Sequence, residues 1–160
     1  MPIRSYIFAD EMNQKGITLI ELIIVLVIIG IMAGLLTPNI SAWLPIYRLR
    51  SAARDIVSTM RTAQMKAVSN NISYRVNLDD ADIGDDRYVL QFRTIEGNWV
   101  SDGAVQTLPP GISIRTNTLP GKHAEFNPNS TSSAGTVTLL SGKGTKTISL
   151  TAATGRVRIE

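Results

Sequence analysis

The hydrophobic residues of this chain are concentrated in one long run near the N-terminus. From Ile17 to Leu36 the only charged side chain is that of Glu21. A run of about twenty mostly apolar residues is long enough for a helix to cross the ~30 Å hydrocarbon core of a bilayer. The pattern therefore predicts a transmembrane helix over residues 17–38. Because a carboxylate inside lipid costs at least ~2–3 kcal/mol, we expect Glu21 to have a specific partner.

Apolar side chains then recur every three or four residues, which predicts that the helix continues as an amphipathic segment over residues 39–69. Pro38 and Pro45 should each bend it, and Asn70-Asn71 should end it. The predicted apolar face consists of Leu49, Ala53, Ile56, Val57, Met60, Ala63, Ala67 and Val68. The opposite face carries Arg48, Arg50, Arg54, Arg61 and Lys66. We interpret these cations as a solvated face, with contact to anionic lipid headgroups or to nucleic acid as the alternatives.

The remaining residues, 70–160, follow the two-residue alternation of β-strands, separated by turns rich in Gly, Pro and Asn. A long helix followed by many short strands predicts an α+β fold in which the helix packs on a β-rich domain. Strands are expected at Ser73–Leu78, Arg87–Ile95, Trp99-Val100, Ile112–Thr116, Ala124–Asn127, Thr136–Leu140, Thr147–Thr151 and Arg156–Ile159.

Composition excludes several kinds of chemistry. The 160 residues carry a net charge of +3 and no cysteine, so neither disulfides nor thiol catalysis are expected. His123 is the only histidine and has no partner at a diagnostic spacing. The segment Asp79–Asp86 resembles a calcium loop in composition, but its Gly84 comes too early for an EF-hand and no closing Glu follows, so a solvated loop is expected. The sequence therefore predicts no enzyme, no catalytic residue, no metal, no cofactor and no small-molecule substrate.

The first sixteen residues have the character of a leader. In a secretory signal the apolar region precedes the cleavage site, whereas here Lys15-Gly16 precedes the apolar run. A cut after Gly16 would leave the hydrophobic helix on the mature protein. Either Met1 or Met12 could be the start of translation. The alternative is a plain N-terminal anchor, in which the Lys-Gly pair is accidental and Glu21 is unexplained.

The segment from Gly16 through Glu21, followed by the apolar residues to Gly30, resembles the prepilin signature of type IV pilins and type II secretion pseudopilins. The family usually has Phe where this chain has Ile17, and often a helix-bending proline where it has Pro38. The resemblance implies that a membrane-embedded prepilin peptidase and N-methyltransferase cuts between Gly16 and Ile17 and methylates Ile17. It also implies that the Glu21 carboxylate meets the Ile17 amine of a neighbouring subunit in a filament.

The C-terminal segments Phe126–Ser130, Gly135–Leu139, Ile148–Leu150 and Thr154–Ile159 are similar to those of H-type minor pseudopilins of type II secretion and of FimT-like minor pilins. The resemblance implies a pilin-like fold with two antiparallel β-sheets. It also implies an inner-membrane subunit, crossing once, with its C-terminal domain in the periplasm. Its partners would be other pilins or pseudopilins, in a filament that either drives protein secretion or forms a pilus.

The sequence Gly155-Arg156-Val157-Arg158 matches the Gly-Arg-x-Arg motif with which FimT-like pilins bind DNA. On a strand, Arg156 and Arg158 point to one face, with their guanidinium groups roughly 7 Å apart, and such a pair suits successive phosphates. Lys143 and Lys146, expected in the preceding turn, could extend the patch. The alternative is a terminal strand with a solvated basic face, so both double-stranded DNA binding and a purely structural role stay open.

Overall fold

The computed structural model of the chain describes residues 16–78 and 86–160, without the side chains of residues 35–42. The leader before Gly16 and all but the last residue of the predicted Asp79–Asp86 loop lie outside the described residues. The chain divides into two compact units, residues 1–39 and 40–160.

One helix, α1, runs from Leu19 to Asn70 and continues without interruption past the positions of Pro38 and Pro45. It ends as predicted, because Asn71 takes a left-handed backbone conformation with a φ of 54°, a common helix-terminating geometry. In the first unit every described side chain from Gly16 to Gly34 is exposed. Within the part of the chain that the structure describes, no helix is both long and apolar enough to cross a membrane.

In the second unit, α1 presents an almost continuous apolar face to the core. Its buried residues are Leu49, Ala52, Ala53, Ile56, Val57, Met60, Ala63 and Ala67. This is the face predicted from the sequence, with two differences at its margins. Ala52 is buried although it was not predicted to be, and Val68 is 49% exposed because it lies on the solvent side of the last turns.

In the described part of the chain after α1, nine strands form two antiparallel sheets. The strands are β1 (Tyr74–Leu78), β2 (Arg87–Arg93), β3 (Trp99–Ser101), β4 (Gln106–Thr107), β5 (Ile112–Asn117), β6 (His123–Phe126), β7 (Gly135–Ser141), β8 (Gly144–Thr151) and β9 (Arg156–Ile159). The first sheet has the order β3-β2-β1-β6, with β4 also paired to β2, and the second has the order β5-β7-β8-β9.

The inner faces of both sheets and the apolar face of α1 enclose one hydrophobic core. Phe126, Leu78 and Val76 come from the first sheet, and Leu139 and Ile148 come from the second; all five are fully buried. The prediction of a long helix packed on a domain of two antiparallel sheets is therefore confirmed. This arrangement removes the apolar stripe of the helix and the apolar faces of both sheets from water together, which stabilises the fold.

All eight predicted strands are present, and the deviations are local. The short strand β4 was not predicted, because two polar residues carry no alternation to detect. β8 begins at Gly144, three residues before the predicted start, because its pairing with β7 extends to Ser141 opposite Gly144. Lys146 therefore lies inside β8, and the prediction that it lies in a turn is wrong.

Candidate functional site

Thr18 caps the N-terminus of α1. Its side-chain oxygen Oγ1 accepts a hydrogen bond from the backbone N–H of Glu21 at 3.3 Å, and its carbonyl accepts from Glu21 and Leu22 at 3.1 and 3.2 Å. Thr18 and Glu21 thus have the spacing of a capping box, in which Ser or Thr precedes the helix and Glu follows three residues later. The cap places Glu21 in the first turn, where the helix dipole favours a carboxylate.

Gly16 and Ile17 immediately precede this cap, in a segment with no regular secondary structure. Both are exposed, and Ile17 has 76% of its surface accessible. The bond predicted to be cleaved therefore lies in non-helical backbone directly before the helix, and Glu21 follows within one turn. Sequence reasoning missed the part that Thr18 plays here, although the Thr-x-x-Glu spacing signals it.

At the other end of the chain, β9 forms one edge of the second sheet. Arg156 and Arg158 pair with Thr151 and Ser149 of β8, and both arginines are exposed, whereas Val157 between them is buried. The two guanidinium groups therefore extend from the outer face of the sheet, as predicted. Among the residues with described side chains, neither arginine has a carboxylate within salt-bridge distance.

The two lysines predicted to extend this patch do not lie beside it. Lys146 is on the face of β8 that carries the buried residues Ile148 and Leu150, so its side chain leaves the sheet opposite to Arg156 and Arg158. It lies beside Arg50 and Arg54 of α1. Lys143 lies in the turn between β7 and β8, six residues before the partner of Arg158, which corresponds to about 20 Å along the strand.

The turn that leads into β9 is tied to the helix. The side-chain amide of Gln64 donates a hydrogen bond from Nε2 to the carbonyl of Thr154 at 3.2 Å. Gly155 has a φ of 60°, and a Cβ at this position would lie 2.5 Å from Gln64 Nε2. This contact holds Arg156 beside the helix, where Arg61 faces the same groove. Neither Gln64 nor Arg61 was predicted to belong to this region.

The basic face of α1 is only partly solvated, which corrects the prediction. Lys66 Nζ lies 2.7 Å from Asp102 Oδ2, and this hydrogen bond raises the pKa of Lys66 despite the opposing effect of partial burial. Arg48 donates from Nη1 to the carbonyl of Pro110 at 3.3 Å. These two cations therefore attach loops to the helix, whereas Arg50, Arg54 and Arg61 are exposed.

A polar cleft of about 480 Å³ lies between α1 and the loop that follows β3. Tyr88 lines it, and burial, followed by the nearby charge of Asp55, raises the pKa of the Tyr88 hydroxyl. Ser58, Thr59, Thr62 and Gln106 add further polar groups.

The residues considered for metal chemistry have local partners. His123 Nδ1 lies 2.9 Å from the carbonyl of Gly121, and its Nε2 lies 3.9 Å from Glu125 Oε2. The carboxylate of Asp86 accepts a hydrogen bond from the backbone N–H of Ile114 at 2.9 Å. Within residues 16–78 and 86–160, no three His, Cys, Asp or Glu side chains lie close enough to hold a metal ion.

Comparison with known proteins gives one sequence match and several structural ones. Residues 12–37 match the prokaryotic N-terminal methylation motif. No curated protein matches the sequence. The structure is similar to that of the minor pseudopilin EpsH from the type 2 secretion system of Vibrio cholerae, with a TM-score of 0.58 and 12% identity over 71% of this chain and 96% of EpsH.

The structure is also similar to the type IV minor pilin FimU of Pseudomonas aeruginosa, with a TM-score of 0.55 and 16% identity over 70% of this chain and 87% of FimU. At this identity the likeness establishes the fold. The chain thus has a prokaryotic N-terminal methylation motif on a type IV pilin-like fold. The predicted resemblance to type IV pilin-like minor subunits is confirmed at the level of motif and fold.

Proposed function

We propose that this chain is a minor pseudopilin that lies near the tip of a type II secretion pseudopilus and helps to initiate its assembly. The observation that carries the proposal is the methylation motif of residues 12–37, which contains the capped start of α1. The second support is the pilin-like domain, whose described neighbours are a minor pseudopilin and a minor pilin.

In this proposal the prepilin peptidase removes residues 1–16 and leaves Ile17 as a methylated N-terminal residue. Residues 17–38 hold the subunit in the inner membrane until assembly, and the domain formed by residues 70–160 faces the periplasm. The exposed apolar side chains before Gly34 would then exchange lipid contacts for contacts with the helices of neighbouring subunits. Because both environments are apolar, the transfer requires little free energy for these side chains.

Glu21 has a defined chemical part in this mechanism. Cleavage creates a positive α-amine on Ile17, and the Glu21 carboxylate of one subunit would pair with the amine of its neighbour. Removing one partner of such a buried pair leaves an uncompensated charge, at a cost of roughly 3–5 kcal/mol. The pair would therefore set the axial register between subunits as well as stabilise the assembled filament.

The exposed arginine pair of β9 favours a second candidate function, a FimT-like minor pilin that captures double-stranded DNA for uptake. Arg156 and Arg158 are exposed on one face of the strand, so phosphate oxygens could approach both. A contact with so few cations would be weak, salt-sensitive and independent of sequence. The two functions differ in the machine that the filament serves, although both use the same processing and the same helix.

Intact-mass analysis of the membrane-extracted protein tests the part that both functions share. The expected mass is that of residues 17–160 with one added methyl group, whichever methionine starts translation. A protein that retains residues before Ile17 would contradict the pilin proposal altogether. Deleting the gene in its host then separates the two candidates, because a pseudopilin is needed for protein export and a DNA-binding pilin is needed for transformation.

A further inference from the structure

We propose that the open edge of β9 is a docking site for an extended, acidic segment of a partner protein, which adds to the second sheet as a further strand. The proposal goes beyond the filament role, which concerns the N-terminal helix. It rests on three features of the same place: unpaired backbone groups, a groove beside them, and arginines around that groove.

The hydrogen-bond pattern of β9 identifies the unpaired groups. Glu160 and Thr147 exchange both of their backbone hydrogen bonds, at 2.8 and 3.1 Å. In an antiparallel ladder such pairs alternate, so Arg158 and Arg156 are also bonded inward, to Ser149 and Thr151. The N–H and C=O groups of the residues between them, Val157 and Ile159, therefore point away from β8, toward the open edge.

Among the residues that the structure describes, this edge lacks the protection that the opposite edge of the same sheet has. At that opposite edge β5 contains a register shift between Ile114 and Thr116, and the Asp86 side chain occupies the outward N–H of Ile114. Bulges and edge-blocking side chains are the usual means by which proteins prevent strand addition. The β8–β9 register has no such shift over its four residue pairs.

A groove of about 880 Å³ lies between this edge and α1. Its walls include apolar surface that is unusually accessible, since Met65 is 65% exposed and Ile159 is 40% exposed. An added strand would place alternate side chains against this surface and the others outward. Strand addition gains affinity from main-chain hydrogen bonds and specificity from such alternate side-chain positions.

The charges around the groove indicate an acidic occupant. Arg61 of α1 lines one side, Arg156 and Arg158 line the other, and Glu160 is the only acidic side chain among the lining residues. DNA phosphates would also be attracted, but DNA does not use the outward carbonyls of Val157 and Ile159 or the apolar surface of Met65. The combination of backbone donors, backbone acceptors, apolar surface and cations fits a polypeptide better.

Binding measurements on the full chain in detergent micelles test the proposal. The probe is an octapeptide that alternates glutamate with valine, compared with its lysine–valine counterpart and with a short DNA duplex. We expect the acidic peptide alone to slow hydrogen exchange at the amides of Val157 and Ile159. The change Arg61→Glu should weaken its binding roughly tenfold or more, since it replaces an attraction by a repulsion. The matched change Arg115→Glu, on the exposed side of β5, should have no effect.

Ile159→Pro provides a second variant, because it removes an outward N–H that does not bond to β8. This change should also weaken binding of the acidic peptide. Far-UV circular dichroism checks that the variant domain is folded. Several outcomes would overturn the proposal. These are no binding of the acidic peptide, equal binding of both peptides, or binding without protection of the two amides. DNA binding that depends on Arg61 and leaves the acidic peptide unbound would assign the groove to nucleic acid instead.

Discussion

The side-chain amide of Gln64 lies where a side chain on residue 155 would begin. Gln64 Nε2 donates to the carbonyl of Thr154 at 3.2 Å and would be only 2.5 Å from a Cβ on Gly155. The glycine before the two arginines thus has a structural reason to be there, since it lets the β8–β9 turn approach the helix. Its φ of 60° is a conformation that other residues adopt only at a cost.

Gly155→Ala should therefore destabilise the domain by about 1–2 kcal/mol, through left-handed backbone strain and loss of the Gln64 hydrogen bond. Urea denaturation followed by circular dichroism measures the change. Gly142→Ala is the matched control, because a Cβ there has no neighbour within 4 Å, and its effect should be near zero. Adding Gly155→Ala to a chain that already carries Gln64→Ala should cost only the backbone strain, since the hydrogen bond from Gln64 to Thr154 is then already absent. If Gly155→Ala proves as harmless as Gly142→Ala, the turn is not held as described.

The buried hydroxyl of Tyr88 should make stability fall in alkaline solution. Its pKa is raised in the folded state by burial and by the charge of Asp55. The unfolded chain therefore loses this proton first, and stability declines as the pH rises above about 10. The pKa of Lys66 is raised as well, so Lys66 acts in the same direction and some decline should persist without Tyr88.

Tyr88→Phe should accordingly reduce the alkaline loss of stability, as measured by urea midpoints between neutral pH and pH ~11. Tyr47→Phe is the matched control, since Tyr47 carries the same hydroxyl but is 68% exposed. A Tyr88→Phe profile that coincides with the wild type would mean that the hydroxyl is effectively solvated in the folded domain.

Calcium should not stabilise the domain formed by residues 47–160, in spite of the aspartates of the Asp79–Asp86 segment. Asp86 already accepts a hydrogen bond from the Ile114 N–H, so a metal would have to compete with that bond. Thermal melts in calcium and in chelator should coincide, with magnesium as the control for ionic strength. A calcium-specific rise in melting temperature of several degrees would show a bound ion and contradict the solvated-loop interpretation.

The sequence predicted the strongly periodic features of this fold well. The apolar stripe of α1 and all eight predicted strands rest on patterns that buried faces impose, and residues such as Met60 and Phe126 are buried for that reason. The features that were missed depend on contacts between residues far apart in sequence. Lys66 reaches Asp102, Arg48 reaches Pro110 and Gln64 reaches Thr154, and no local pattern indicates such partners.

The candidate site residues likewise fall into those that a local sequence pattern predicts and those that depend on tertiary structure. The positions of Gly16, Ile17 and Glu21 follow from a contiguous motif, and the shared face of Arg156 and Arg158 follows from strand alternation. Lys146 was misplaced because the sequence gives no sign of where β8 begins. A shift of one residue in register moves a strand side chain to the opposite face of the sheet. For Lys146 the register is set by the pairing of β7 with β8.

Glu21 should be needed for assembly rather than for folding. Glu21→Gln keeps a side chain of similar size but removes the charge, so cleavage after Gly16 should continue while recovery of partner pilins from detergent extracts falls several-fold. Thr18→Ala distinguishes the helix cap of the first turn from the charge of Glu21. It removes the cap, at a cost of about 1 kcal/mol, but keeps the Glu21 charge and should still assemble. Equal recovery with Glu21→Gln and wild type would exclude the proposed intersubunit pair.

If this subunit serves DNA uptake, Arg156 and Arg158 should form the core of the binding surface. Binding through so few charges should be micromolar or weaker, should fall steeply with salt, and should show no preference among sequences, because phosphates carry no base code. The double change Arg156→Gln, Arg158→Gln should abolish the gel shift of duplex DNA by the full chain in detergent. Both side chains are exposed, so the thermal melt should not change.

Two matched variants make this test specific to the outer face of β9. Lys146→Gln removes a cation from the opposite face of the same sheet, and Arg115→Gln removes an exposed one from β5. Both variants should leave the DNA gel shift intact. If DNA were bound only through the total positive charge of the domain, each variant would weaken the shift as well. Should the wild-type chain give no shift even at low salt, DNA capture is excluded and the secretion pseudopilin remains as the proposed function.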